Sequence, residues 1–208
     1  MVRLNIAAML TAARPLATGF LNPASVFRNT HRSFVRESAA AVQNKKLAVI
    51  LRGLPGSGKS SLASRIVSRH PGSVICSADN FFVKRGEYKF DISKLSLAHN
   101  ACMATFCSGL KNRAPVVVVD NTNTMKWEFA NYLSVAAILH NEYEAVVVEF
   151  TCYNLAQAQV WGERSTHGVS PPKIKAMFNR FESFPGCITI EQLERKLDLI
   201  QEQPQEQQ

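Results

Sequence analysis

Residues 53–60 read Gly-Leu-Pro-Gly-Ser-Gly-Lys-Ser and stand just behind the apolar run Leu47–Leu51. A glycine, four residues and then Gly-Lys-Ser is typical of a loop whose backbone N–H groups surround phosphate oxygens. Such a loop requires a strand before it and a helix after it. Residues 59–69 supply the helix, with an apolar face formed by Leu62, Ala63, Ile66 and Val67. The sequence therefore predicts a nucleoside triphosphate site.

The positions within this loop assign roles to individual residues. Lys59 is placed to reach the β- and γ-phosphates, and the Ser60 hydroxyl is placed to ligate Mg²⁺. The N-terminus of the following helix points its positive end at the same spot. The predicted nucleotide-binding residues are Gly53, Leu54, Pro55, Gly56, Ser57, Gly58, Lys59, Ser60 and Ser61.

The charge of the 208-residue chain is uneven. Its net charge is +8, but residues 1–36 hold five arginines and no acid. An N-terminus rich in Ala and Arg and free of acids is typical of an organelle presequence. We predict that residues 1–40 are a mitochondrial presequence or a disordered basic tail, which places the protein in the matrix or, alternatively, the cytoplasm. We expect no membrane association, because no apolar run approaches the length of a membrane span.

The five cysteines are odd in number and form no Cys-x-x-Cys pair. This pattern favours small core residues in a reducing compartment over a zinc site or a disulfide framework.

Apolar strand-like segments alternate with helical ones along residues 45–200. We predict strands over 47–51, 73–77, 116–119 and 143–150, and helices over 59–69, 93–110, 124–139, 154–164, from 170 onward, and over 191–200. Thr124 is the predicted N-cap of the third helix. This alternation predicts one α/β domain, with three layers and a mostly parallel central sheet. Residues 201–208 are predicted to form a disordered Gln-rich tail.

Two aspartates follow predicted strands at the edge where ligands bind in such sheets. Asp79 comes after the second strand and is placed to accept the proton of an attacking hydroxyl group. Asp120 ends the strand Val116–Val119 and is the predicted second Mg²⁺ ligand. Lys59, Asp79 and Asp120 should therefore converge.

Taken in order, several motifs make the chain resemble the polynucleotide 5′-hydroxyl kinase-like family, and within it the branch found in a ubiquitin-ligase-binding protein. These motifs are the phosphate loop, Ser77-Ala-Asp-Asn-Phe-Phe82, Tyr88-x-Phe90-Asp91, Leu97-Ala-His99, Asp120-Asn-Thr-Asn123 and Arg164-x-x-His167-Gly-Val169. The resemblance covers about residues 47–183.

This resemblance implies a P-loop kinase fold with a C-terminal helical lid, and ATP- and Mg²⁺-dependent transfer of phosphate to the 5′-hydroxyl of RNA or DNA. Asp79 would be the general base, Lys59 and Arg164 would complete the catalytic set, and Arg164 would lie in the lid. Substrate contacts would come from Asn121, Thr122 and Asn123, and Arg85 is a further candidate for holding a substrate phosphate.

Two alternatives stay open at this point. The chain beyond residue 36 carries a net charge of only +3, which leaves a nucleoside or other small-molecule acceptor possible. His167 stands where phage-type relatives have a second lid arginine, and a neutral histidine stabilises developing negative charge poorly. This departure keeps open a nucleotide-binding, non-catalytic subunit of a mitochondrial assembly.

Overall fold

The structure is a computed structural model that describes residues 45–166 and 168–201. The predicted presequence at residues 1–40, His167 and most of the predicted C-terminal tail lie outside the described residues.

The strands and helices follow the predicted alternation closely. The strands are β1 (Lys46–Arg52), β2 (Val74–Cys76), β3 (Val83–Lys84), β4 (Glu87–Tyr88), β5 (Val116–Asp120), β6 (Tyr143–Glu149) and β7 (Cys187–Ile188). The helices are α1 (Lys59–Arg69), α2 (Leu95–Lys111), α3 (Lys126–Ile138), α4 (Leu155–Glu163), α5 (Pro171–Asn179) and α6 (Ile190–Gln201).

Five of the strands form a central parallel sheet in the order β2-β5-β1-β6-β7. Strand β1 is its middle strand, and its register aligns Leu51 with Asp120 of β5 and Arg52 with Glu149 of β6. The carboxyl ends of three strands therefore meet at one edge, directly beside the phosphate loop. The predicted α/β fold with a mostly parallel sheet is confirmed.

The sheet is buried on both faces, which explains why its strands read as continuous apolar runs. Along β1, Ala48 and Ile50 pack on one side with helices α2 and α3, and Leu47, Val49 and Leu51 pack on the other side with α1 and α6. This alternation separates two apolar cores and gives the predicted three layers.

Helices α4 and α5 pack on each other and on the phosphate loop, in a third small core built from Leu54, Ala158 and Ile174. We call residues 150–182, which contain these two helices, the lid segment. The predicted helices at 154–164 and from 170 onward are confirmed, with Ser170 as the N-cap of α5.

Three local features differ from the sequence-based prediction. Strands β3 and β4 form a hairpin that we did not predict, because two-residue strands give no periodic signal. Strand β7 was not predicted, for the same reason. The prediction that Thr124 caps α3 is wrong, because the helix begins at Lys126 and the Glu128 carboxylate accepts from the N–H of Met125, the N-cap residue.

The cysteines are all free thiols, and two of them, Cys76 and Cys102, are buried. No helix in the described part of the chain is both long and apolar enough to cross a bilayer.

The packing of Phe106 on α2 makes a direct stability prediction. Its ring is fully buried and meets the Tyr132 ring edge to face, with centroids 5.1 Å apart. We expect Phe106→Ala to lower the free energy of unfolding by about 3–5 kcal/mol, since it removes a large core side chain and leaves a cavity. Urea denaturation measures this loss. Ile138→Ala, at a side chain 63% exposed, should stay within about 0.5 kcal/mol of the wild type.

Candidate active site

The phosphate loop is attached to the sheet at its first residue. The Gly53 N–H donates to the Thr122 carbonyl (2.9 Å), and this bond joins the loop to the turn that follows β5. A Cβ at Gly53 would lie 2.8 Å from the Phe150 Cβ, so this close approach excludes any larger residue. The start of the loop is therefore fixed by the strands on both sides of β1.

The middle of the loop has the backbone shape that holds an anion. Gly56 and Gly58 adopt φ values of 73° and 99°, which L side chains rarely adopt. Helix α1 begins directly after Gly58, and no side chain caps its first turn. Its N–H groups are thus directed at the loop, as in phosphate sites at helix N-termini.

Lys59 points its ammonium group into this loop. The Nζ atom donates to the Leu54 carbonyl (2.8 Å) and to the Ser57 Oγ (3.3 Å). Burial lowers the pKa of Lys59 to about 8, and the carboxylates of Asp120 and Asp79 partly oppose this change. Both aspartates therefore act on the same ammonium group, at the edge of the sheet where β1, β2 and β5 end.

Asp79 sits at the first position of a short 3₁₀ turn, Asp79–Phe82, just past β2. The Tyr88 hydroxyl donates to the Asp79 Oδ1 (3.0 Å) from strand β4. Burial, the charge of Asp79 and this hydrogen bond raise the pKa of Tyr88 to about 12. Tyr88 therefore keeps its proton at neutral pH and holds the Asp79 Oδ1 in place.

The turn after β5 contains Asp120 and three of the predicted substrate residues. Asp120 is buried at the strand end, and the Asn121 Oδ1 accepts from the Ala78 N–H (3.0 Å). Asn121 thereby ties this turn to the segment that carries Asp79. The half-buried Thr122 accepts the hydrogen bond of the Gly53 N–H through its backbone carbonyl.

Asn123 has a structural position. Its side chain is buried, it adopts a φ of 46°, and its Nδ2 donates to the Leu51 carbonyl (2.7 Å). A side chain turned into the sheet in this way supports strand β1 rather than facing an acceptor. Asn123 is therefore assigned no contact with an acceptor.

The remaining predicted residues lie at the outer side of the site. Ser60 and Ser61 are exposed in the first turn of α1. Arg85 is exposed at the tip of the β3–β4 hairpin, with a φ of 51° in its two-residue turn. Arg164 is exposed at the C-terminal end of α4.

The lid segment lies directly on the phosphate loop. A Cβ placed on Gly56 would fall 1.7 Å from the Trp161 carbonyl oxygen and 3.3 Å from the Ser165 nitrogen. Arg164 thus belongs to the turn that covers the loop. Only a glycine at position 56 allows the lid backbone to approach this closely.

A residue that we did not predict lies beneath the site. Arg52, the last residue of β1, is completely buried. Its guanidinium donates to the carbonyls of Asn123 (3.2 Å), Thr124 (3.1 Å) and Glu182 (2.6 Å). Its Nη1 lies 3.1 Å from the Glu149 Oε2, as an ion pair rather than an aligned hydrogen bond.

Two aromatic rings complete the surroundings of Arg52. The centroids of Phe129 and Phe181 lie 5.2 and 4.4 Å from its Cζ atom. Glu149 directly precedes the lid segment, and Glu182 ends it. The Arg52 side chain therefore contacts both ends of the lid segment, which we call its roots. A buried arginine is costly unless it is paired. Glu149 supplies the opposite charge, and the three carbonyls accept hydrogen bonds from Nε and Nη2, while Nη1 has only the ionic contact.

The fold and the loop define a P-loop protein with a kinase-like parallel sheet. A family profile described as an AAA domain matches residues 49–171, which is more than half of the chain. The chain therefore belongs to this AAA domain family. The resemblance to P-loop kinase-like proteins predicted from the motifs is confirmed.

The chain is similar to human NEDD4-binding protein 2, with 31% identity over 180 residues, or 82% of this chain and 10% of that protein. It is also 30% identical over 132 residues to the 2′,3′-cyclic-nucleotide 3′-phosphodiesterase of Rattus norvegicus, covering 60% of this chain and 30% of the relative. The chain thus spans less than a third of the length of either relative.

Among solved structures, Kti12 of Chaetomium thermophilum in complex with ADP-AlF3 shares the fold. The TM-score is 0.52 at 14% identity, and the match covers 74% of this chain and 97% of Kti12.

The buried position of Lys59 predicts a stability that depends on pH. A pKa lowered from 10.5 to about 8 disfavours the folded state by about 3 kcal/mol at neutral pH, at about 1.4 kcal/mol per pH unit. The unfolded chain binds more protons between these two values, so this penalty disappears as the pH rises from 8 to 10.5. Lys59→Met should therefore raise the unfolding free energy at about pH 7 by about 1–3 kcal/mol, after the loss of its hydrogen bonds.

Chemical denaturation without added nucleotide measures this difference at about pH 7 and at about pH 10.5. The gain of Lys59→Met over the wild type should shrink at the higher pH. Lys111→Met, at an exposed lysine of α2, is the control and should show no gain at either pH. A Lys59→Met protein that is less stable than the wild type at pH 7 contradicts this prediction.

Proposed function

We propose that this chain is an ATP-dependent kinase that transfers the γ-phosphoryl group to the 5′-hydroxyl of a polynucleotide. The observation that carries the proposal is the convergence of Lys59, Asp79 and Asp120 at one edge of the sheet, beside a glycine loop and under a lid. Each of these groups has a distinct use in phosphoryl transfer, and positioning with charge stabilisation is most of what this chemistry needs.

The residues of the loop fit a triphosphate. The backbone at Gly56 and Gly58 and the uncapped first turn of α1 direct N–H groups at the loop, and the Lys59 ammonium lies inside it. Ser60 and Asp120 would hold Mg²⁺, which usually takes one or two protein ligands and completes its shell with phosphate oxygens and water. Mg²⁺ held there would neutralise charge on the phosphates.

Asp79 would then act on the acceptor. Its carboxylate, held through one oxygen by Tyr88, receives the proton of the attacking hydroxyl group. The hydroxyl oxygen bonds to the γ-phosphorus as ADP leaves with the electrons of the broken bond. Lys59 and, from the lid turn, Arg164 offset the negative charge of the transferred group.

The acceptor is the more specific part of the proposal. The polynucleotide assignment comes from the motif resemblance, and the name of one relative, which refers to 2′,3′-cyclic nucleotides, supports a nucleotide acceptor. Asn121, Thr122 and Arg85 are the proposed acceptor contacts.

The test is transfer of label from [γ-³²P]ATP to single-stranded RNA and DNA with free 5′-hydroxyl ends, using the full chain. We expect transfer by the wild type, and a fall in kcat of about 10²–10⁴-fold for Asp79→Asn, which keeps the shape but removes the base. Asp198→Asn, at an exposed carboxylate of α6, is the matched control and should retain wild-type activity.

Two outcomes contradict the proposal in different ways. Transfer to a nucleoside or sugar but to neither polynucleotide would assign a small-molecule kinase. Binding of ATP with no transfer to any acceptor would assign a nucleotide-binding subunit without catalysis.

A further inference from the structure

A row of aromatic rings leads away from Asp79 toward solvent. Tyr88, which donates to Asp79, has its ring centroid 6.2 Å from that of Phe82. The Phe82 centroid lies 5.0 Å from that of Phe90, with the two planes tilted by 55°. Phe82 is buried and supports the row, whereas Phe90 is 47% exposed at its outer end. The exposed Phe90 ring is thus separated from the Tyr88–Asp79 pair by the buried Phe82 ring.

The lid segment also reaches the Phe90 ring. The Lys173 Nζ atom, on the first turn of α5, lies 5.8 Å from the Phe90 ring centroid. Phe90 therefore lies where the hairpin region and the lid approach each other, on the side of the site that carries Asp79. Phe90 is thus placed to meet an acceptor that enters between these two elements.

Cations outnumber acids in the chain on either side of Phe90, because residues 84–94 hold four cations and two acids. The ion pairs recorded there join Lys89 to Glu87 and Lys94 to Asp91. Among the residues that the structure describes, no acidic partner is recorded for Lys84, Arg85 or Lys173. Cations beside an exposed aromatic ring are the combination that binds single-stranded nucleic acid, because the ring stacks a base and the cations follow the phosphates.

We propose that Phe90 is the stacking platform for a base at the 5′ end of a single-stranded polynucleotide, and that Lys173 binds the adjacent phosphate. The 5′-hydroxyl lies at Asp79, and the chain of the acceptor runs outward past the Phe90 ring. Lys173 moves from the ring to the phosphate as the base stacks. This inference rests on the proposed kinase function and assigns its acceptor specificity, since a sugar acceptor has no base to stack.

Binding of a short single-stranded oligonucleotide with a free 5′-hydroxyl and a 3′ fluorophore tests this assignment. Fluorescence anisotropy measures the affinity of the full chain and of Phe90→Ala, Phe90→Tyr and Lys173→Gln. We expect Phe90→Ala to weaken binding by about tenfold, and Phe90→Tyr to retain most of it, because tyrosine keeps the stacking ring. Lys173→Gln should reduce the slope of log affinity against log salt by about 0.7.

The kinetic readout separates stacking from chemistry. Phe90→Ala should raise the KM for the oligonucleotide with little change in kcat at saturation, because the ring touches neither the attacking hydroxyl nor ATP. Its ATP affinity should equal that of the wild type, which also shows that the variant is folded. Trp127→Ala removes another exposed aromatic ring, 67% exposed on α3, and should leave oligonucleotide binding unchanged.

The possible results are distinguishable. If the wild type phosphorylates the oligonucleotide but Phe90→Ala binds it equally well, the stacking assignment is overturned. A loss confined to Trp127→Ala overturns it too and moves the platform to α3. If the wild type transfers no phosphate to any polynucleotide, the proposed function itself fails, and this inference fails with it.

Discussion

The arrangement of the site depends on the contacts that the buried guanidinium of Arg52 makes. The guanidinium lies at the end of the central strand, directly before the phosphate loop, and its partners come from three separate parts of the chain. Glu149 and Glu182 are the two roots of the lid, and the Thr124 carbonyl belongs to the turn after β5. An apolar residue at position 52 would fill the same space without burying a charge. It would not fix the positions of Glu149, Glu182 and the Thr124 carbonyl relative to one another.

The contacts of Arg52 fix both ends of the lid segment. Between these ends, the lid helices pack in a small core of their own over the loop. The lid helices contact the loop through Leu54, and the lid turn lies against Gly56 so closely that no side chain fits there. The roots are fixed at Arg52, while the exposed Arg164 lies in the turn that covers the loop and the exposed Lys173 lies on α5. In the proposed phosphoryl transfer, such a lid would cover the phosphates and exclude water.

The sequence predicted most of the fold and the charged centre of the site, for physical reasons. Strands buried on both faces give continuous apolar runs, and strand ends in a parallel sheet meet at one edge, so the positions of Lys59, Asp79 and Asp120 follow from local patterns. Contacts between residues far apart in the sequence leave no local pattern of this kind, so they were not predicted. The role of Arg52 depends on residues more than seventy positions away, and the hydrogen bond of Tyr88 depends on a hairpin too short to show periodicity. Asn123 was predicted to face substrate, but a left-handed backbone turns its amide toward β1.

Hydrogen exchange measured by NMR in the wild type and in Arg52→Met tests the anchor most directly. Three amides around the guanidinium make single backbone hydrogen bonds of 2.9 Å: Gly53 to Thr122, Phe150 to Arg52 and Glu182 to Thr124. If Arg52 holds these segments as one unit, all three amides exchange faster together in the variant, while amides inside β1 keep their protection. Unchanged protection at Phe150 and Glu182, or an equal loss across the whole sheet, would contradict a specific anchor for the lid.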